Sequence, residues 1–274
     1  MSAQPPVISL LTDFGLADTY VGVMKAVILF AAPNARIVDL THAVRPQDVL
    51  QGAFLLETVW RYFAEGTVHL AVVDPDVGTS RRRIAIRAEG HTFVGPDNGL
   101  LSSALPDEAR GSRSYGEGYH ARRVALPPSI VAIELDSEAF GSRPSATFEG
   151  RDIFAPAAAR LAAGASLSDL GTVVVDIEAF PAFRAPGAEG SIEGRVLHVD
   201  VYGNLITDIR ASDLPPNPRI QVAGRELGLS HTYSTALGLS AIAGSSGFVE
   251  IAVPNGSAAA LLGLGPGDEV TAKP

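Results

Sequence analysis

Between Val72 and Arg83 the chain reads Val72-Val73-Asp74-Pro75-Asp76-Val77-Gly78-Thr79-Ser80-Arg81-Arg82-Arg83, which sets two carboxylates and three guanidiniums around one turn. The apolar run Val68–Val73 ahead of them reads as a buried strand. Asp74 then stands at a strand's carboxyl end, where open α/β sheets keep their ligand sites. Acids beside arginines at such a place either bind and polarise a ligand or form a solvated turn, and this stretch alone leaves both open. Further apolar runs end in the same way at Asp13, Asp39 and Asp97-Asn98, and Asp18 follows on the loop behind Asp13. Converging at one sheet edge, these acids would build a pocket for a cationic or hydroxyl-bearing ligand, since a carboxylate accepts from both hydroxyls of a ribose. Neither GxGxxG nor GxxxxGK[ST] occurs, which favours a nucleoside over a nucleotide phosphate.

Other chemistries lack their residues. There is no cysteine, hence no disulfide, thiolate nucleophile or cysteine-ligated metal. The six histidines form no HExxH and no pair at ligand spacing, so His42 and His69 read as structural residues near strands and no metal is expected. A Gly-x-Ser-x-Gly elbow is also missing, which argues against a serine hydrolase. Far along the chain, Asp200-Val201-Tyr202-Gly203-Asn204 is either a plain hairpin turn or a clamp for a base or an amino-acid head group.

The elements that must position these groups follow from apolar spacing. Val7–Leu11, Ile37–Leu40, Val68–Val73, Ile84–Ile86 and His91–Val94 read as strands. Helices are expected over Tyr20–Ala32, stopped by Pro33, over Asp48–Phe63, and over Ala155–Ala163 with Pro156 in its first turn. Gly111–Ser145 carries no assignable pattern. Beyond a Pro/Gly/Ala-rich linker at 179–190, short β-like runs alternate with Gly/Pro turns: Gly194–Val201, Asn204–Ile209, Arg219–Val222, Gly247–Val253 and Glu269–Thr271. The expected fold is an α/β N-terminal domain (1–178) with a mainly parallel sheet flanked by helices. A C-terminal all-β, barrel-like domain (191–274) follows it.

The 274 residues are 46% hydrophobic and 19% charged, a globular composition with ample material for a core. A net charge of −9 argues against nucleic-acid binding. No apolar run approaches the roughly 18 residues of a membrane helix, and Met1–Pro6 has no signal-peptide pattern. The expectation is a soluble cytoplasmic protein.

Seven segments together resemble one family. They are LLTDFG (Leu10–Gly15), DTYVGVMK (Asp18–Lys25), VVDPDVGTSRR (Val72–Arg82), GPDNGLL (Gly95–Leu101), TFEGRDIFAP (Thr147–Pro156), VDVYGNLITDI (Val199–Ile209) and GFVEIAVPNGSAA (Gly247–Ala259). In order and across both inferred domains, they are similar to the S-adenosylmethionine (SAM) hydroxide adenosyltransferases, or SAM hydrolases, which are related to the SAM-dependent fluorinase and chlorinase. The resemblance implies displacement at the ribose C5′ of SAM by water or hydroxide, giving adenosine and methionine, with SAM as substrate and no cofactor. It also implies a trimer whose sites lie between neighbouring subunits. It matches the catalytic Asp and Arg to Asp74 and Arg81. Adenosine contacts fall to Asp13, Asp18 and the Tyr202-Gly203-Asn204 turn, and the methionine part to Asp200, Asn204, Ser245, Glu250 and the Val253 backbone.

The chain departs from this pattern twice. Glu149 stands where TFHGRD has the third catalytic residue, and Asp76 stands where VDPGVG has glycine. Extra acids bind a sulfonium better in the ground state, but ground-state binding alone does not raise kcat. Glu149 is therefore expected either as a base or hydrogen-bond partner, or as the mark of a SAM- or adenosine-binding protein with impaired catalysis. A halide adenosyltransferase is the less favoured alternative, because the carboxylate of Asp74 repels a halide. The insertion that fluorinases carry before the strand matching His91–Val94 is here only Arg87-Ala88-Glu89-Gly90.

Overall fold

The structure is a computed structural model and describes residues 4–140, 144–188, 190–230 and 232–274. His231, Glu189 and the 141–143 part of the unassigned segment lie outside the described residues. The chain forms two compact units. One comprises residues up to Arg110 and His120–Pro181, the other Gly111–Tyr119 and Ala182–Pro274.

In the first unit the strands are β1 (Val7–Thr12), β2 (Arg36–Thr41), β3 (Val68–Val72), β4 (Arg83–Ala88), β5 (His91–Pro96), β6 (Arg122–Ala125), β7 (Val131–Leu135), β8 (Gly171–Val174) and β9 (Asp176–Ala179). Seven make one sheet in the order β2-β1-β3-β5-β4-β7-β8, and β6 pairs with β9 as a separate ribbon. The half that carries Asp74 is parallel, β1 lying between β2 and β3, and β3 between β1 and β5. The other half is antiparallel, so the sheet as a whole is mixed. The change of direction has a local cause. Glu89 and Gly90 both take positive φ, 48° and 77°, which closes a two-residue hairpin between β4 and β5 with Ala88 opposite His91.

Central β3 is buried on both faces. Val68, Leu70 and Val72 pack into one core with Ile8, Leu10, Met24, Ile28 and Phe154, while Ala71 and Val73 join Leu56, Trp60, Ile84 and Phe93 on the other side. This period of two explains why its sequence reads as an unbroken apolar run. The helices are α1 (Tyr20–Ala31), α2 (Val49–Val59), α3 (Asp107–Arg110) and α4 (Ala155–Ala162). Asp48 caps α2 by accepting from Gln51 N at 2.9 Å, and a 3-10 turn, Trp60–Tyr62, takes over before Phe63. A π-helical turn, Gly150–Phe154, leads into α4, whose alanines let it lie close against the sheet.

The second unit holds β10 (Gly187–Ala188), β11 (Ser191–Val199), β12 (Leu205–Arg210), β13 (Arg219–Val222), β14 (Arg225–Ser230), β15 (Ser240–Ala243), β16 (Phe248–Ala252), β17 (Glu269–Lys273) and the short helix α5 (Ala258–Leu262). Seven strands close a barrel, β11-β12-β16-β15-β14-β13-β17 and back to β11, with β10 added outside on β11. Its interior is Val196, Leu205, Ile209, Ile220, Val222, Val249, Ile251 and Val270. Part of the stretch without pattern belongs here. Arg113 is wholly buried, its Nε donating to Asp208 Oδ2 at 2.9 Å and an Nη1 to Glu193 Oε1 at 3.3 Å. The Tyr119 hydroxyl also donates to Asp208, at 2.9 Å. Burial pushes both the Asp208 carboxyl and the Tyr119 phenol up; Arg113 opposes this in both cases. The rest of the stretch supplies β6 and β7, whose partners β9 and β8 lie well further along the chain, Arg122 facing Ala179 and Leu135 facing Gly171.

Candidate active site

Asp74 is separated from the end of β3 by Val73 alone, and Asn98 fixes the chain there by donating from Nδ2 to Val73 O at 2.9 Å. The chain then folds back on itself. Val77 N donates to Asp74 O, Thr79 N and Oγ1 donate to Asp76 O, and Arg81 N donates to Thr79 Oγ1. Gly78 makes this turn possible at φ +78°, and a Cβ there would run into the Ala146 carbonyl of the neighbouring loop. Arg81 is thereby returned to Asp74. Its Nε donates to Asp74 Oδ1 at 2.8 Å and its Nη2 to Oδ2, a fork on a carboxylate. The same Nη2 reaches Glu149 Oε2, and Arg83 Nη2 donates to Glu149 Oε1. The Arg81 guanidinium also lies over the Phe154 ring, 5.4 Å from its centroid.

The group is nearly dry: the side chains of Asp74, Arg81 and Glu149 are 5%, 8% and 2% exposed. Burial pushes the Asp74 carboxyl up; Arg81 pulls it down, and the charges of Glu149 and Asp76 add to the rise. Burial works against the Arg81 cation, but Asp74 and then Glu149 outweigh it and hold the guanidinium above its ordinary value. Asp76 itself is exposed on the turn and acts on Asp74 only through its charge.

Beside the group lies a cavity of about 140 Å³ lined by Phe14, Tyr20, Val72, Asp74, Val77 and the Thr147–Gly150 loop. Phe148 meets Phe14 and Tyr20 edge to face and those two are tilted against each other, with centroids 5.1–5.9 Å apart, which gives the cavity an aromatic wall beside the Asp74 carboxylate. Asp13 and Asp18 are not among the lining residues. Asp13 Oδ2 accepts from Gln47 N at 2.8 Å, and Asp18 sits exposed in an open depression before α1.

The four strand-end acids do not converge on one pocket. Asp39 lies within β2, paired with Lys25 and His42. Asp97 is buried in an ion cluster with Arg82, Arg123 and Asp176 and accepts from Glu178 N. Both are spent on structure. His69 is not solitary either: Ser9 Oγ meets its Nδ1 at 2.7 Å, and its Nε2 meets His91 Nδ1 at 3.1 Å beneath Trp60. Burial, and then the facing His91, push His69 down to about 3. Among the described residues no cluster of three or more His, Cys, Asp or Glu could hold a metal.

In the barrel unit a separate open groove of about 990 Å³ is lined by all six residues expected there, Asp200, Tyr202, Asn204, Ser245, Glu250 and Val253. Asp200 organises its turn, Oδ1 accepting from the Tyr202 and Asn204 amides and Oδ2 from Asn204 Nδ2, all at 2.8–2.9 Å. Gly203 takes φ +80° with Ser257 packed against its α-carbon, so no side chain fits. Tyr233 is a lining residue that sequence reasoning missed. Its hydroxyl donates to Glu250 Oε2 at 2.5 Å and lies 3.5 Å from Asn204 Nδ2. Burial and then Glu250 push this phenol up, and burial pushes Glu250 up while Tyr233 opposes it. Arg83 was likewise missed. Neither Tyr233 nor Arg83 belongs to a periodic pattern, and each earns its place through a contact distant in sequence.

Two family models match the chain, the SAM hydroxide adenosyltransferase N-terminal domain over residues 8–171 and the C-terminal domain of the same family over 194–271. The chain is 40% identical over 275 residues to an (R)-S-adenosyl-L-methionine hydrolase from Salinispora arenicola, with 98% of each covered. It is 29% identical over 237 residues to a fluorinase from Actinoplanes sp., covering 76% of this chain and 73% of that one. A crystal structure of an uncharacterized conserved protein from Thermotoga maritima superposes with a TM-score of 0.82 at 34% identity, over 97% of this chain and 100% of that one.

Proposed function

This chain belongs to the SAM hydroxide adenosyltransferase family, and on that premise we propose that it hydrolyses SAM to adenosine and L-methionine, taking the (R)-sulfonium epimer named in its relatives. The observation that carries the reading is the desolvated Asp74–Arg81 fork beside an aromatic cavity. Water held on Asp74 attacks C5′ in line with the sulfur. The C5′–O bond forms as C5′–S breaks, the electron pair returns to sulfur, and methionine leaves as a neutral thioether. Asp74 takes the proton that the water sheds, and its raised basicity suits this task. Arg81 stabilises negative charge on the attacking oxygen. Because the reaction destroys a cation and an incipient hydroxide together, a dry site favours the transition state.

Asp13 and Asp18 bind the adenosine together with the Tyr202–Asn204 turn, and the methionine head group lies against Asp200, Asn204, Ser245, Glu250 and the Val253 backbone. That the barrel residues of both sets line one groove supports their acting on one substrate. The proposal extends to a trimer with sites shared between neighbouring subunits and to a cytoplasmic location; light scattering and cell fractionation test these. Among the described residues no helix is long and apolar enough to cross a membrane.

Incubation with SAM, followed by chromatography for adenosine and methionine, tests the activity. A trace identical to the protein-free control overturns it. Halogenated nucleoside in high-chloride incubations would instead point to halide transfer, which the Asp74 carboxylate opposes by its charge. The binding-only reading draws on one observation: Glu149, at the position of the third catalytic residue, is tied by its two oxygens to two different arginines and so serves the ion-pair network. A Glu149→His variant that gains much turnover with unchanged adenosine affinity would favour that reading.

A further inference from the structure

Arg83 has no role in the chemistry above, yet its contacts are spent on one residue of the site. Its Nη2 donates to Glu149 Oε1, it has no other ion pair among the described residues, and its Nε is buried without a hydrogen-bond partner. Its side chain is 23% exposed, while that of Glu149 is 2% exposed. Four charges of alternating sign therefore run Asp74, Arg81, Glu149, Arg83, and they sum to zero.

We propose that Arg83 is a positioning residue for the hydrolysis and acts through Glu149: it neutralises and holds that carboxylate, so that Glu149 can brace the outer edge of Arg81 without adding net negative charge where hydroxide must approach. The inference rests on the hydrolytic reading of the same site. Its logic is electrostatic. A buried carboxylate with only a shared cation is costly. Without Arg83, Arg81 would be the one cation left to neutralise two acids, and its hold on an oxyanion would weaken. An imidazole at position 149 would bring no such charge, whereas a glutamate there needs a cation of its own. Arg83 begins β4, so its backbone is fixed by pairing with Pro96 and only the side chain need reach across.

A double-mutant cycle tests this with wild type, R83Q, E149Q and R83Q/E149Q, measuring kcat and KM for SAM across pH, with thermal melts to verify folding. R83Q should lower kcat about tenfold, while KM moves by less than about threefold. Its acid limb should shift to higher pH, because the charge of Glu149, no longer offset by Arg83, pushes the Asp74 carboxyl further up. Removing the stranded carboxylate should repair part of the damage, making R83Q/E149Q more active than R83Q. Wild-type kcat and pH profile in R83Q would overturn the proposal, as would losses that simply multiply in the double mutant. If R83Q does not melt cooperatively, R83K replaces it in the cycle under the same criteria. Wild type is assayed first: no adenosine there sinks the hydrolytic reading, whereas active wild type with an indifferent R83Q sinks only the role of Arg83.

Discussion

Each unit of this protein buries an arginine between two carboxylates, and the two clusters do opposite things. Arg81 stands between Asp74 and Glu149 in the α/β unit, and Arg113 between Asp208 and Glu193 in the barrel. Both arginines are held above their ordinary pKa by these acids against the pull of burial. The difference is access. Arg113 and Asp208 are fully enclosed, and Tyr119 takes up a further acceptor site on Asp208. Asp74 instead presents its carboxylate to a cavity of about 140 Å³. Ion chemistry alone does not mark a catalytic site; a charged group with room beside it does.

The comparison breaks most sharply at the two carboxylate–arginine clusters. Asp74→Asn should cost about 10³–10⁴-fold in kcat, about 4–5.5 kcal/mol of barrier, with little change in melting temperature, as read by adenosine release and calorimetry. Arg113→Met should do the reverse. It strands two buried acids and should cost about 3–5 kcal/mol of stability by denaturant titration, with kcat of the folded fraction unchanged. Equal losses of activity in both variants would erase the distinction.

A third buried group sharpens the point by titration. His69 is neutral in the folded state, with its pKa pushed down to about 3 from 6.5. Above pH 6.5 neither state binds the proton and His69 has no effect. As pH falls from 6.5 towards 3, the unfolded chain protonates first, and stability is lost at up to about 1.4 kcal/mol per pH unit. Thermal melts of wild type against His69→Asn should show the variant losing less across that window. The smallest effect is expected in the barrel groove. Tyr233→Phe removes one hydroxyl from Glu250 and should raise KM for SAM about fivefold, roughly 1 kcal/mol, at nearly constant kcat.

What could be read beforehand follows from how local the determinants are. Asp74 was legible because a buried strand, a proline and a left-handed glycine mark the end of β3 within seven residues, Val72–Gly78. The barrel groove was legible through the Asp200–Asn204 turn, whose hydrogen bonds span four residues at most. Arg83 and Glu149 lie 66 residues apart, and neither residue's surroundings hint at the other. Asp97 looked like Asp74 in sequence, but it was claimed by Arg82 and Arg123, whose approach only the fold reveals. The stretch after Gly111 gave no pattern because β6 and β7 are short strands paired with distant partners, and residues 111–119 are held by Arg113 rather than by periodicity.

At Gly78, finally, distance in this site is set by a methyl group that is not there. The turn that returns Arg81 to Asp74 and the loop that carries Glu149 meet at the Gly78 α-carbon and the Ala146 carbonyl, with no space for a side chain between them. Alanine at that position would touch no charged group, yet it would act as a wedge and lengthen the span from Arg81 to Glu149. The protein thus carries a spacing control separate from its charges, and a single carbon atom is the smallest step by which it can be turned.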